Sequence, residues 1–333
     1  MQTPTQVRGQ LLVAAPDAHI WAVFAKAGAN TSNMARAKED RHMSTHAENP
    51  PAIAARLADR TVAPNSLNSS MIVHRVGTAN PDFVDEALVF GQQIADRMNS
   101  VLGTAANTTV YRDLGSASKI HWLVHLYSPA DYGKLISMAD HDEELRHVYE
   151  GNRLPERGGG NWERIFVQSS FRELVIVPQH GLLDSQDHPG LGEDLFAVPA
   201  IFQMPEVAST WSSTNAPMIL HRRIQGLYAS RDLARLYLQQ WQGAVNRTLP
   251  GEITVAQYEE VWGHQDRLHL LIHASGRNAL QRLKDLEDSP SGEFAGVISR
   301  LRVKRAGQMF DWRGLFEDGT QTDTILERYW PST

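Results

Sequence analysis

The sequence of 333 residues contains no cysteine. This absence excludes a disulfide framework, thiolate zinc sites, iron–sulfur clusters, haem thiolate ligation and a cysteine nucleophile. An excess of positive charge is also missing, because 32 Lys and Arg residues stand against 38 Asp and Glu residues and the formal net charge is −6. Counterion release would not drive binding to a nucleic acid, so we expect no nucleic-acid partner.

Long apolar runs are missing as well. The best candidate, Leu11–Ala29, is interrupted by Pro16, Asp17, His19 and Lys26, and it falls short of the ~20 apolar residues that cross a bilayer. The Pro-Asp pair also disfavours a cleavable signal peptide. We therefore expect a cytoplasmic protein without a membrane partner, in which residues 1–70 form a partly disordered N-terminal leader or arm.

An internal repeat is the most informative positive feature of the sequence. Similar segments recur at an offset of 147 residues or one residue more, and three histidines match between the two copies. The matched pieces are Met71–Arg75 with Met218–Arg222, Tyr111 with Tyr258, and Ile120–His125 with Leu268–His273. Histidine makes up only 14 of the 333 residues, so the sequence predicts two modules of one plan.

Hydrophobic periodicity predicts the element order βαββαβ in each module. In the first, 71–177, the predicted elements are Met71–Val76, Asp82–Leu102, Thr108–Leu114, Lys119–Tyr127, Pro129–Glu150 and Trp162–Val177. In the second, 218–312, they are Met218–Tyr228, Arg231–Thr248, Glu252–Trp262, Arg267–Ala274, Asn278–Asp288 and Arg300–Phe310. Residues 178–217 read as a proline-rich linker and 313–333 as a polar C-terminal tail.

The order βαββαβ is that of the ferredoxin-like split motif. Two such units in one chain resemble the duplicated form of the dimeric α+β barrel superfamily. The resemblance implies an α+β fold with a pseudo-two-fold core, in which two four-stranded antiparallel sheets face each other beneath outer helices. It also implies a small-molecule enzyme of specialised metabolism with an apolar or aromatic substrate, as in polyketide cyclases and small monooxygenases. No catalytic motif of these relatives matches the sequence.

Strand alternation predicts where the repeated histidines point. His121 and His125 share one face with Leu123, and the opposite face is apolar, so the histidine face is expected to line the space between the sheets. The second copy follows the same pattern. Because first and third strands are neighbours in this motif, His74 is expected beside His121 or His125. The prediction is one interior cavity lined by His74, His121, His125, His221, His269 and His273.

Three interpretations of these imidazoles remain open. Acid–base catalysis is favoured, since the unperturbed pKa of histidine lies near neutrality. A haem or a divalent metal ion is the alternative, although no cofactor or metal-ligand set is assigned, and His121 and His125 lie roughly 13 Å apart along a strand. The third interpretation is a non-catalytic binding or scaffold protein whose histidines form a structural network.

Five further residues are candidates for contacting a small-molecule ligand: Arg75, Arg222, Tyr111, Tyr258 and His141. The arginines suit an anion or a plain ion pair at a strand end, and the tyrosines suit a pocket wall or core packing. Exposed sheet edges would allow a homodimer. The reaction class and the substrate do not follow from these residues.

Overall fold

The computed structural model describes residues 62–178, 210–288 and 296–330. It also describes the backbone of two short strands that lie between residues 178 and 210. The strands are β1 Met71–Thr78, β2 Ala106–Asp113, β3 Lys119–Leu126, β4 Arg172–Pro178, β5 His180–Leu182, β6 Leu195–Ala197, β7 Met218–Gln225, β8 Ile253–Trp262, β9 Arg267–Ala274, β10 Val303–Arg305, β11 Gln308–Phe310 and β12 Thr322–Arg328. The helices are α1 Val84–Leu102, α2 Pro129–His141, α3 Glu143–Glu150, α4 Trp162–Ile165, α5 Arg231–Thr248 and α6 Arg277–Asp288.

Eight of these strands close into one antiparallel barrel. Their order around the barrel is β4-β1-β3-β2-β12-β7-β9-β8, and β8 returns to β4. Each half therefore has the strand order of the ferredoxin-like motif, and the two halves join through the β2–β12 and β4–β8 pairs. The predicted mixed α/β architecture with an antiparallel barrel is confirmed.

Helices cover the outside of the barrel, where the apolar strand faces lie. In the first half, Ile120, Trp122 and Val124 of β3 pack in a buried cluster that also contains residues of α1. In the second half, Leu268 and Leu270 of β9 belong to the corresponding cluster with α5. Burial of these apolar faces against helices leaves the alternate residues, including the histidines, facing the barrel interior.

Two predicted elements of the first half differ in detail. The predicted helix over 129–150 is divided at Asp142, whose carboxylate accepts a hydrogen bond from the Leu145 amide and caps the start of α3. The predicted strand over 162–177 is the single-turn helix α4 followed by β4.

The prediction for the last strand is wrong. The apolar segment around Val303 and Phe310 forms the separate two-stranded sheet β10–β11, and the barrel strand is β12, within the predicted tail over 313–333. Strand β12 reads as polar because its outward residues Asp323 and Glu327 pair with arginines of the barrel surface. With these charged residues and few apolar ones, the segment lacks the regular alternation of apolar and polar residues that indicates a half-buried strand.

The predicted arm over 1–70 is corrected at its end, because Ser66 and Leu67 are buried against the barrel. The remainder of the arm, residues 1–61, and most of the predicted linker over 178–217 lie outside the described residues. The compact unit that contains the barrel spans Leu57–Thr333. Among the helices described, none combines the length and the apolar character needed to cross a bilayer.

Candidate functional site

Four histidines form a continuous row inside the barrel. His74 of β1 and His121 of β3 lie on neighbouring strands, and Nε2 of His74 is 2.9 Å from Nδ1 of His121. His221 of β7 and His269 of β9 repeat this contact with the same atoms at the same distance of 2.9 Å. We call these four residues the histidine row.

The two halves of the histidine row meet at its middle. The rings of His74 and His221 contact edge to face, with 5.0 Å between their centroids. All four rings are buried. The histidine row therefore consists of two hydrogen-bonded imidazole pairs, one from each half of the protein, that contact each other inside the barrel.

A carboxylate stands at each end of the histidine row. Oε2 of Glu260 lies 3.4 Å from Nε2 of His269, and Oδ2 of Asp113 lies 3.8 Å from Nε2 of His121, which is longer than a hydrogen bond. Loop amides hold both carboxylates in place: Gly115 and Ser116 donate to Asp113, and His264 donates to Glu260.

Sequence reasoning missed these two carboxylates. They are separated by the same offset of 147 residues as Tyr111 and Tyr258, and each lies two residues after its tyrosine, on the same face of its strand. That repeat could have revealed them, although one position carries Asp and the other Glu.

The carboxylates set the positions of the protons along the row. A neutral imidazole has one N–H and one lone pair, and an N–H directed at a carboxylate is favoured over a lone pair directed at it. His121 and His269 then carry their protons on Nε2, so their Nδ1 atoms accept hydrogen bonds from Nε2 of His74 and His221. The Nδ1 atoms of His74 and His221 are left with lone pairs.

Burial keeps the histidine row neutral. Desolvation lowers the pKa of all four rings, and the neighbouring rings and Arg223 lower those of His74 and His221 further. Burial alone would raise the pKa of Asp113 and Glu260, but the adjacent imidazoles and loop amides outweigh it and lower both pKa values. The site therefore combines anionic carboxylates with uncharged imidazoles.

The remaining two predicted histidines lie at a different level of the barrel. Nδ1 of His125 donates to the Asn107 carbonyl and Nδ1 of His273 to the Thr254 carbonyl, both at 2.9 Å. Burial lowers the pKa of His125 to about 3 and that of His273 to about 4. The expectation of one cavity lined by six imidazoles is corrected, because an apolar layer separates the two levels: Ile72, Leu123, Ile176, Ile219, Leu271 and Leu326.

The predicted ligand residues Tyr111 and Tyr258 belong to the closed end of the barrel. The Tyr111 hydroxyl donates to the Ser213 carbonyl at 2.7 Å, and the Tyr258 hydroxyl donates to the Ser66 carbonyl. Ser66 and Ser213 bind each other through reciprocal amide-to-hydroxyl hydrogen bonds of 3.0 and 2.9 Å. The two tyrosine hydroxyls and the two serines thus form one buried hydrogen-bonded cluster, which we call the Ser66–Ser213 seal.

The structure places the other three ligand candidates outside the barrel. Arg75 pairs with Glu173, and the buried Arg222 pairs with Glu287 and Asp323. Each arginine follows an inward histidine by one residue, so alternation turns it to the outer face. His141 is an exposed residue at the end of α2, with Nδ1 2.8 Å from the Ser137 carbonyl oxygen. None of the three therefore faces the barrel interior, and a ligand-binding role for them stays a prediction.

The residues present do not fit a metal ion or a haem inside the barrel. Within the described ranges, no group of three His, Asp or Glu side chains is arranged to hold a metal ion. In the described part of the chain, the buried ring nitrogens without a hydrogen bond are Nδ1 of His74, Nε2 of His125 and Nε2 of His121, of which the last faces Asp113. Beside them, Ile72, Leu123 and Ile219 are closely packed and fully buried, so a haem plane would have to displace the apolar layer.

Several solved structures of known proteins are similar to this chain. A candidate monooxygenase from Lactobacillus acidophilus NCFM has a TM-score of 0.47 at 7% identity, over 78% of this chain and 94% of that chain. An anthrone oxidase-like protein has a TM-score of 0.42 at 12% identity, over 80% and 94%. A variant of chlorite dismutase from Candidatus Nitrospira defluvii has a TM-score of 0.40 at 8% identity, over 78% and 92%.

None of the curated proteins matches the sequence. A family model does match, over residues 42–333, and that range includes the whole barrel and both halves of the histidine row. The chain therefore belongs to the family of unknown function DUF6039.

Proposed function

We propose that this protein is a small-molecule enzyme in which His74 and His221 act as general bases. The observation that carries the proposal is the chain of contacts from Asp113 through His121 to His74, which ends at a buried ring nitrogen. Nδ1 of His74 has no hydrogen-bond partner among the described residues. A buried lone pair without a partner is costly for the fold, and a substrate that donates a proton would satisfy it.

The reaction class is proton abstraction from a small organic substrate. Nδ1 of His74 takes the proton, and the resulting imidazolium keeps its Nε2 proton on the hydrogen bond to His121. Asp113 stabilises this positive charge through the His121 ring, as an orienting carboxylate does beyond a catalytic histidine. The proton then returns to the product or to solvent, so no oxidant or reductant is required.

Burial lowers the pKa of His74 and keeps its ring neutral at pH 7, which leaves the lone pair free but makes the ring a weaker base than a histidine that titrates near neutrality. The charge of Asp113 beyond His121 acts in the opposite direction, because it stabilises the protonated form. A ring that is neutral at pH 7 is always available to accept a proton, and a base held beside its substrate accelerates reactions by about 10²–10⁴-fold. The open end of the barrel is the expected binding place. His74 and His221 lie at the middle of β1 and β7, and His121 and His269 lie near the start of β3 and β9. Ser66 and Ser213 lie at the other level, where the Ser66 hydroxyl is bonded to His273.

Untargeted metabolite conversion tests the proposal. Purified wild-type protein is incubated with a small-molecule extract of the organism that encodes the chain, in deuterated water, and mass spectrometry records masses that change. We expect consumption or deuterium uptake with wild type and a loss of about 100-fold or more in His74→Gln/His221→Gln. The control, His141→Gln, changes an exposed histidine and should match wild type. Equal conversion by the double variant, or no conversion by wild type, overturns the proposal.

A non-catalytic network is the second candidate, favoured by the close packing of the apolar layer beneath the row. In that case His74→Gln lowers the free energy of unfolding by about 1–3 kcal/mol because a buried partner is lost, and conversion does not change. Chemical denaturation of the same variants separates the two candidates.

We also propose that the halves are copies of one module, with bounds near 71–178 and 218–328. The shared offset of 147 residues in His74 and His221, Asp113 and Glu260, and Ser66 and Ser213 supports this proposal. A cytoplasmic location, a role in specialised metabolism and a homodimer stay predictions. The eight strands of a closed barrel leave no edge for pairing, so a dimer would use the outer helices, and analytical ultracentrifugation measures its presence.

A further inference from the structure

Three cationic side chains stand at the open end of the barrel. Lys119 lies two residues before His121 on β3, Arg267 lies two before His269 on β9, and Arg223 lies two after His221 on β7. Residues two apart on a strand share a face. All three therefore stand on the inner face, one step outward from the histidine row.

These cations have few partners. Nε of Arg223 donates to the Thr322 hydroxyl at 3.2 Å, and across the part of the chain that the structure describes none of the three forms an ion pair with a carboxylate. The charge of Arg223 is close enough to all four rings of the histidine row to lower their pKa values. Arg223 thus lies near the row without a direct carboxylate contact among the described residues.

An open surface cleft of about 540 Å³ includes one of these cations, Arg267. Arg223 lies two residues before Gln225, another residue that lines the cleft, on the same strand. Exposed apolar and aromatic surface is available in it, since Tyr228 is 71% exposed and Leu227 37%. Arg267 belongs to both the cleft and the open end of the barrel. The cleft is lined by Gln225, Gly226, Leu227, Tyr228, His264, Gln265, Arg267, Glu317 and Thr320.

We propose that the open end binds a small organic carboxylate, with its carboxylate on Arg223 and Arg267 and its apolar body along Leu227 and Tyr228. This inference rests on the proposed function and names its substrate class. Guanidinium groups bind carboxylates through paired charge-assisted hydrogen bonds. A monoanion fits better than a phosphate dianion, because the nearby carboxylates of Asp113, Glu260 and Glu317 repel additional negative charge.

The buried nitrogen of His74, which also carries the proposed function, points to a ligand at this place. It is a polar atom without a partner in a ring that is only 3% exposed, and Nε2 of His121 is likewise without a hydrogen bond. His74 contacts His221, which lies two residues before Arg223 on β7, and the charge of Arg223 lowers the pKa values of both His74 and His121. Arg223 and the Nδ1 atom of His74 thus lie in one region of the barrel interior.

Ligand titration with matched charged and neutral probes tests the inference. Benzoate and phenylacetate are titrated into the full chain at low salt by isothermal calorimetry, and benzamide and phenylacetamide serve as uncharged isosteres. We expect saturable binding of at least one acid and binding of its amide that is weaker by about tenfold or more. Arg223→Gln and Arg267→Gln should each weaken binding of the acid by about tenfold or more, whereas Arg146→Gln, which removes an exposed cation on α3, should not change it.

Binding and catalysis fail separately in this design. Equal binding of acid and amide, no binding of either acid, or unchanged binding in both arginine variants overturns the inference. The His74→Gln/His221→Gln variant is expected to weaken binding of the acid by less than either arginine variant does, since the carboxylate contacts the arginines. Retained binding together with unimpaired metabolite conversion in that variant would overturn the proposed function and leave the anion site intact.

Discussion

At the scale of single residues, the chemistry of the site depends on which ring nitrogen of each histidine carries the proton. Asp113 is fixed by two loop amides and directs the N–H of His121 toward itself. Because a neutral imidazole has one proton, that orientation determines the hydrogen bond to His74 and exposes the lone pair of its Nδ1.

Asp113→Asn tests this dependence. The amide oxygen can still accept from the loop amides, but the negative charge that orients His121 is lost. We expect conversion of the substrate to fall by about 100-fold or more, with little change in the thermal midpoint. Asp96→Asn, an exposed change on α1, is the control. Unchanged conversion in Asp113→Asn would show that the carboxylate does not act on the row.

The inward direction of the six histidines follows from sequence alone, because an alternating strand with one apolar face must bury that face against helices. The grouping into a row of four and a separate pair could not be predicted. It depends on the stagger between β1 and β3, which opposes Val76 to His121 and lets His74 reach the same ring diagonally. The carboxylates are hard to find from the repeat because one copy carries Asp and the other Glu at this position.

At the scale of strands, alternation also explains why the two arginines are structural. Arg222 is buried between Glu287 and Asp323 and stacks over Trp241 at 5.6 Å. Its equivalent Arg75 pairs with Glu173, and both side chains of that pair are 36% exposed. The same position in the two halves thus carries ion pairs of different burial.

Substitution of these arginines should separate the two environments. We expect Arg222→Ala to lower the free energy of unfolding by about 3–5 kcal/mol, because two carboxylates lose a buried partner. Arg75→Ala should cost about 1 kcal/mol or less, as solvent screens an exposed pair. Urea denaturation measures both. Equal losses would contradict the assignment, and so would weaker benzoate binding in either variant.

Strand β12 provides a second test at this scale. Leu326 points into the barrel and is fully buried, whereas the preceding Ile325 is 37% exposed. We expect Leu326→Ala to destabilise the fold by about 2–5 kcal/mol and Ile325→Ala by about 1 kcal/mol or less. A reversed order in denaturation experiments would mean that β12 does not close the barrel in this register.

At the scale of the whole molecule, one level of the barrel is closed by serines and tyrosines, and we propose the other end as the ligand site. The offset of 147 residues between Ser66 and Ser213, and between Tyr111 and Tyr258, is also that between His74 and His221. A sequence without an alignment predicts the barrel class from element order. It does not predict the seal, since Ser66 lies in a segment with the composition of a flexible arm.

The buried pair His125 and His273 predicts how stability depends on pH. Their folded pKa values of about 3 and about 4 lie below the ordinary 6.5, so below pH 6.5 the unfolded chain binds protons that the folded chain does not. As the pH falls from about 6 to about 4, each ring should lower the free energy of unfolding by about 1.4 kcal/mol per pH unit. Urea titrations across this range measure the slope. In His125→Gln this slope should be smaller by the contribution of one ring. A slope equal to that of wild type would contradict the burial of His125.

The central claim is that carboxylates orient the histidine row so that Nδ1 of His74 and His221 is free to accept a proton. The most direct measurement is a long-range proton–nitrogen NMR spectrum of the histidine-labelled protein at pH 7, assigned with single His-to-Gln variants. We expect protonated Nε2 and unprotonated Nδ1 in all four rings of the row. A protonated Nδ1 in His74 and His221, or a doubly protonated ring at that pH, would contradict it.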